Sequence, residues 1–140
     1  MNSICIFGVF VADLCFFGNK IPVKGETILG NNHIVGPGGK GSNQAIAAAR
    51  LNGNVHFITK VGNDNHADMA FSLYKEAGVN VDCIIRDPSL STGVAGIMID
   101  ENGNNAINVF AGAAKHLKND DIDKNLEIFK KSKIFLTQME

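Results

Sequence analysis

Short apolar segments, rich in β-branched and aromatic residues, alternate along this chain with segments of helical character. Each apolar segment is six to nine residues long, roughly the length of a buried strand. The predicted strands are residues 3–10, 54–62, 81–86 and 133–139, and the predicted helices are residues 42–51, 67–77 and 120–131. Strands that alternate with helices favour a parallel sheet covered on both faces. The pattern therefore predicts an α/β fold.

Two further segments do not fit this alternation, and we expect them to form a small second sheet that projects from the first. They cover about residues 14–35 and 92–111. The second contains two β-type runs separated by residues 101–104, a glycine-containing loop typical of a hairpin.

Length and composition exclude several classes of protein. The chain has 140 residues, enough for one domain with its own core, and 45% of them are hydrophobic. A net charge of −1 with interleaved signs gives no electrostatic reason to expect a nucleic-acid or membrane partner. The longest apolar stretch, residues 4–17, is too short to span a bilayer and lacks the features of a signal peptide.

Three scattered cysteines, Cys5, Cys15 and Cys83, lie in apolar surroundings and form no C-x-x-C pair. An odd number of such thiols is typical of a cytoplasmic protein that keeps them reduced. The four histidines show no metal-ligand spacing with one another.

A glycine-rich loop, "GPGGKG", immediately precedes the first predicted helix. Gly36, Gly38 and Gly41 spell G-x-G-x-x-G, but this dinucleotide fingerprint should follow the first core strand directly, and here it lies about twenty-five residues downstream. Lys40 is followed by Gly41, which excludes a Walker A loop. So many glycines indicate either a very tight turn or a ligand that approaches the main chain.

The residues alone leave several roles open for the polar side chains around this loop. Asp13 could end a strand at a turn, and Lys40 could be a solvated loop residue. Ser42 or Asn43 could cap the helix, with Gly53 as its C-terminal stop.

The combination of these segments resembles the ribokinase or PfkB family of carbohydrate kinases. The resemblance rests on "GGKGSNQAIAAARL" at residues 38–51, preceded by "GVFVAD" and "GETILG", and continues through "ITKVGNDNHADMAFSLYKEAGVNVD", "STGVAGIMIDENGNNAINVFAGAA" and "LTQME". It covers essentially all 140 residues in the family's order. It implies a ribokinase-like three-layer α/β fold in which the second sheet is a lid over the sugar.

The family's function implies ATP-dependent phosphorylation of a small sugar, ribose or a related pentose or deoxypentose, at its primary hydroxyl. Mg²⁺ and a monovalent cation such as K⁺ would assist, and the lid would make a homodimer contact. Carried over onto this sequence, the substrate-binding residues are Asp13 at the end of the first strand, Gly39, Lys40, Asn43 and Glu140. Two alternatives remain: a nucleoside or pseudouridine kinase of the same fold, and a non-catalytic sugar-binding or dimerisation fragment.

The sequence departs from the family pattern in two ways. Val11 occupies a position where ribokinases usually have an asparagine that binds a ribose hydroxyl, which opens the site to a deoxy sugar such as 2-deoxyribose or to a different pentose-like substrate, and Ala114 also replaces a frequent asparagine. The family has about twice this length, and its second half carries the catalytic aspartate and the ATP and cation sites. Residues 1–140 are therefore expected to be the N-terminal part of one sugar-kinase domain, inactive alone and prone to associate.

Overall fold

The computed structural model describes residues 3–139, which form two four-stranded sheets and four α-helices. The strands are β1 (Ser3–Phe7), β2 (Val11–Phe17), β3 (Asn32–Gly38), β4 (Asn54–Val61), β5 (Ile84–Arg86), β6 (Gly93–Ile99), β7 (Asn105–Phe110) and β8 (Ile134–Thr137). The helices are α1 (Lys40–Arg50), α2 (Asn65–Ala77), α3 (Asn119–Asp123) and α4 (Leu126–Lys131), with a 3₁₀ helix at Gly112–His116.

The main sheet has the strand order β5-β4-β1-β8, and all of its pairings are parallel. One face of this sheet packs on α1 and α2 through a core that includes Ile6, Phe57 and Tyr74. The other face packs on α4 through a smaller cluster around Cys5 and Ile58. The predicted α/β layering is confirmed.

The second sheet has the order β3-β2-β6-β7, with β2 and β6 parallel and both outer pairs antiparallel. The predicted hairpin is present as β6 and β7, with Gly103 in its turn at φ 82°. The first strand of the second sheet begins at residue 11, whereas the sequence predicted a start at about residue 14. The predicted strand over residues 3–10 is present but shorter, since β1 ends at Phe7, and the next strand, β2, belongs to the second sheet.

Helix α1 begins at Lys40, two residues before the predicted start. Gly39 is its N-cap, without a side-chain capping bond, so the prediction of a Ser42 or Asn43 cap is wrong. At the other end the left-handed residue is Asn52 (φ 63°), and Gly53 N donates to Ala48 O at 2.9 Å. Helix α2 ends at Ala77 as predicted and begins at Asn65, two residues before the predicted start. The Asp64 side chain caps its start, and Gly78 ends it with φ 83°.

The predicted single helix over residues 120–131 is two short helices, because its two halves are anchored to different places. Asp121 of α3 is buried and pairs with Lys60 Nζ at 2.9 Å, and Lys60 also donates to His116 O at 2.8 Å. The α4 residues Ile128 and Phe129 pack on the face of the main sheet that is opposite α1 and α2. The predicted strand over residues 81–86 is also shorter, reduced to β5.

Candidate functional site

A cavity of about 770 Å³ lies between the carboxyl ends of the main sheet and one face of the second sheet. The main-sheet wall comes from the segments after β1 and β8, which are neighbours in the sheet, and from the start of α1. In open parallel sheets, ligands bind at this edge, where the strands end. The lining residues of the main body include Phe7, Gly8, Gly39, Lys40, Asn43, Thr137 and Gln138.

The wall contributed by the second sheet is apolar apart from one carboxylate. Successive residues of a strand point to opposite faces, so Val11 and Asp13 share a face of β2. Ala95 of β6 is paired with Asp13 and continues this face, as does Val109 of β7. The wall therefore offers one charged acceptor within an apolar surface.

Asp13 lies within β2, in the second sheet, and the expectation that it ends the first strand is corrected. The carboxylate lies directly over Gly38, where an added Cβ would be 2.0 Å from Asp13 Oδ1. Burial raises the pKa of Asp13 above its usual 3.8. A half-buried carboxylate in this position can accept hydrogen bonds from hydroxyl groups in the cavity.

The glycine-rich segment joins β3 to α1 through Gly39 alone and packs against the chain's own backbone. Gly39 has φ 90°, and an added Cβ there would be 2.4 Å from Val9 O. Gly41 is also packed against Gly8: an added Cβ there would be 2.8 Å from the Gly8 Cα atom. Ser42 N also donates to Val9 O at 3.3 Å. The absence of side chains therefore lets α1 begin against the β1–β2 connection, at the edge of the cavity.

Lys40 and Asn43, both in the first turn of α1, line the same cavity and are exposed. Their side chains are donors, and Asn43 is also an acceptor, so they complement the Asp13 carboxylate. Val11 also lines the cavity, and its side chain occupies the space left by Gly93, where an added Cβ would be 2.8 Å from Val11 Cγ1. Glu140 lies outside the described residues.

Sequence reasoning missed three polar residues that line the cavity: Lys115, Thr137 and Gln138. Lys115 lies in the 3₁₀ helix that follows β7, beside the buried Ala114, which also lines the cavity. Thr137 and Gln138 reach it because β8 pairs with β1 in parallel, with Thr137 opposite Phe7. The available signal for Thr137 and Gln138 was their position near the end of the predicted strand over residues 133–139, beside the carboxyl edge of the sheet.

The comparisons with known proteins agree with this fold. The model of the pfkB family of carbohydrate kinases matches residues 1–138. The deoxyribokinase of Salmonella typhimurium is 39% identical over 138 residues, which are 99% of this chain and 45% of that protein. The ribokinase of Bacillus subtilis is 40% identical over 122 residues, covering 87% of this chain and 40% of that protein.

Among solved structures, the ribokinase of Arabidopsis thaliana, determined with ribose and ATP, superimposes with a TM-score of 0.87 at 30% identity. The match covers 99% of this chain and 46% of that structure. The fold is therefore ribokinase-like. The chain belongs to the pfkB family of carbohydrate kinases, and it spans somewhat less than half the length of the relatives it matches.

Two kinds of feature are absent from residues 3–139. No group of three or more histidine, cysteine, aspartate or glutamate side chains in this range is arranged to hold a metal ion. None of the helices in the same range is long and apolar enough to cross a membrane.

Proposed function

We propose that this chain provides the sugar-binding half of an ATP-dependent kinase for a small sugar, a pentose or deoxypentose. The observation that supports it is the convergence of Asp13, Lys40 and Asn43 on one cavity at the carboxyl edge of a parallel sheet. Their types suit a polyol, which needs several donors and acceptors close together. The ribokinases and deoxyribokinase among its relatives support the substrate class.

In this proposal each wall of the cavity has a separate role. Asp13 accepts hydrogen bonds from sugar hydroxyls, and Lys40 and Asn43 donate to them. Glu140 is proposed to close the site from beyond β8. The apolar wall of the second sheet keeps water from the primary hydroxyl, which limits competing hydrolysis of ATP.

The phosphoryl transfer itself is assigned to the part of the relatives' length that this chain does not span. There the primary hydroxyl of the sugar would attack the γ-phosphorus of ATP, lose its proton to an aspartate, and release ADP. ATP, Mg²⁺ and the monovalent cation are assigned to the same part, and no residue of this chain is given a role toward them.

Sugar binding by the 140-residue chain tests the proposal, with ligand-observed NMR and ribose, 2-deoxyribose and a non-sugar polyol such as glycerol as ligands. We expect both pentoses to bind and glycerol not to bind measurably. ATP-dependent phosphorylation by the same sample should stay at background. Equal binding of all three compounds, or of none, would contradict the sugar site, and turnover would contradict the division of roles.

Val11 makes 2-deoxyribose the favoured substrate within this class. Its aliphatic side chain faces the cavity and offers no partner to a hydroxyl, so ribose would leave one hydrogen bond unmade. We expect Val11→Asn to improve ribose binding relative to 2-deoxyribose by about tenfold, since a buried unmade hydrogen bond costs about 1–3 kcal/mol.

The ratio of the two dissociation constants, measured for wild type and Val11→Asn, checks this. Val11→Thr is a second test variant because it keeps the branched shape and adds only a hydroxyl, which can also bond the sugar. If the ratio stays the same in both variants, Val11 does not determine sugar selectivity.

The outer face of the second sheet, opposite the cavity, is proposed to form a homodimer contact. Its exposed apolar residues are Phe16, Val35, Met98 and Phe110, with 36–58% of their surface accessible. The edge strand β7 is exposed along its whole length. An uncovered apolar face beside an unpaired strand edge favours association.

We expect sedimentation at micromolar concentration to show association that Met98→Lys reverses. Ile134, Phe135 and Leu136 of β8 form a second exposed apolar surface. Association through β8 would persist in Met98→Lys, so that result would contradict a contact through the second sheet.

A further inference from the structure

Two segments that are far apart in the sequence are hydrogen-bonded to each other at the base of the second sheet. They are residues 62–64, "GND", before α2, and residues 91–93, "STG", at the start of β6. Asp64 Oδ2 accepts a hydrogen bond from Thr92 N at 2.7 Å, and Asp64 Oδ1 accepts from Thr92 Oγ1 at 2.7 Å. Thr92 Oγ1 in turn accepts from Gly62 N at 2.9 Å. We call these three bonds the Asp64–Thr92 clamp.

Burial of Thr92 and a further hydrogen bond of Asp64 hold the clamp on the main body. Thr92 is 2% exposed, and Asp64 also caps α2 by accepting from Ala67 N at 3.0 Å. Burial alone would raise the pKa of Asp64, but the hydrogen bonds from Thr92 and Ala67 outweigh it and hold the pKa below 3.8. The carboxylate is therefore ionised and fully engaged at neutral pH.

Beside the clamp, the backbone at the start of β6 is packed closely against the backbone that follows β7. Ala113 N donates to Ser91 O at 2.8 Å. An added Cβ on Gly93 would be 2.5 Å from Ala111 O, and one on Gly112 would be 2.5 Å from Ser91 O. The start of β6 and the end of β7, where the hairpin joins the main body, are therefore held against each other beside Thr92.

Strand β6 connects Thr92 to the residues that line the cavity. Gly93, the next residue, is paired with Val11 and gives room to its side chain, and Ala95 is paired with Asp13. A displacement of β6 at its base therefore moves the two residues of the second sheet that face the sugar. Small displacements of binding groups weaken hydrogen bonds strongly.

We propose that Asp64 and Thr92 are positioning residues that set sugar affinity by fixing the second sheet over the cavity. Neither residue touches the sugar in this proposal, which rests on the proposed sugar site. The clamp acts through β6 on Asp13 and Val11, and its loss weakens binding of both pentoses alike.

The test measures dissociation constants for 2-deoxyribose and ribose on the 140-residue chain, well below the melting temperature of each variant. Asp64→Ser keeps a good N-cap residue for α2 but is too short to reach Thr92. Thr92→Val removes the hydroxyl at nearly constant shape, and Thr92→Ser retains it. Asp87→Ser is the control, because it removes an exposed carboxylate that bonds only within its own turn, to Ser89.

We expect Asp64→Ser and Thr92→Val each to raise both dissociation constants about fivefold to tenfold, and the double variant to be no worse than either single one. Such non-additivity marks two residues that act through one contact. Thr92→Ser and Asp87→Ser should bind like wild type. If Thr92→Val does not fold, the comparison of Asp64→Ser with Asp87→Ser decides.

Unchanged sugar affinity in Asp64→Ser, with only a lower melting temperature, would overturn the positioning role and leave the proposed sugar site intact. Absence of sugar binding by the wild-type chain would instead overturn the proposed function, and the clamp's role with it.

Discussion

Replacing Asp13 by alanine should abolish most sugar binding without destabilising the fold. The carboxylate is the charged acceptor on the second-sheet wall of the cavity, and a hydrogen bond to a charged group contributes about 1.5–3 kcal/mol. We therefore expect both ribose and 2-deoxyribose to bind at least about tenfold more weakly, because the hydroxyls that Asp13 contacts are common to both sugars.

The fold should tolerate this loss because the carboxylate is held at an energetic cost. Burial raises the pKa of Asp13, which means that the folded chain disfavours the ionised form relative to the unfolded chain. Above the raised pKa this group therefore lowers stability, and its removal should leave the melting temperature equal or higher. Sugar affinity of the wild type should decrease as the pH falls toward that pKa.

Titration calorimetry or NMR, together with thermal melting, checks these expectations. Asp82→Ala is the matched control: Asp82 is exposed on a turn and does not line the cavity. A large drop in melting temperature for Asp13→Ala, with no change in sugar affinity, would show that Asp13 has a structural role and does not bind sugar.

Replacing Gly39 by alanine should destabilise the chain by about 3 kcal/mol. A side chain at φ 90° is strained by roughly 1–2 kcal/mol, and overpacking costs about 1–3 kcal/mol more. The added Cβ would lie 2.4 Å from Val9 O, a backbone atom that cannot move aside without shifting the β1–β2 connection.

Two other glycines separate these contributions. Gly25 has φ 80° with open space around it, so Gly25→Ala should show the conformational strain alone. Gly36 has neither a positive φ nor a neighbour within 4 Å of an added Cβ, and Gly36→Ala should change stability by less than about 0.5 kcal/mol. Denaturant unfolding that ranks Gly39→Ala no lower in stability than Gly25→Ala would contradict close packing as the reason for this glycine.

Much of the main sheet could be predicted from sequence because its signals are local. The strand β4 occurs where its apolar run placed it, and the helix α2 ends at Ala77 as predicted, although it begins at Asn65, two residues before the predicted start. The hairpin of β6 and β7 is equally local, since its turn is specified by residues 100–104. The family resemblance added the expectation that Asp13, Gly39, Lys40 and Asn43 belong together, and all four line one cavity.

The tertiary structure decided the elements whose choice depends on distant partners. The predicted first strand ended at residue 10 and the predicted second sheet began at about residue 14, but Val11–Phe17 pairs with β3 and β6, and this places Asp13 inside the second sheet. The contact of Gly39 with Val9 fixed the start of α1.

The same dependence explains the remaining differences. Lys60, more than fifty residues away in sequence, holds Asp121, while the main sheet holds Ile128, so one periodic segment became two helices. Gln138 reached the cavity only because β8 pairs with β1. Periodicity, caps and turn residues act over a few residues, so the sequence determined which local elements form. Strand pairing and close packing join residues far apart in the chain, and they alone determined which sheet each strand entered and which side chains met in the cavity.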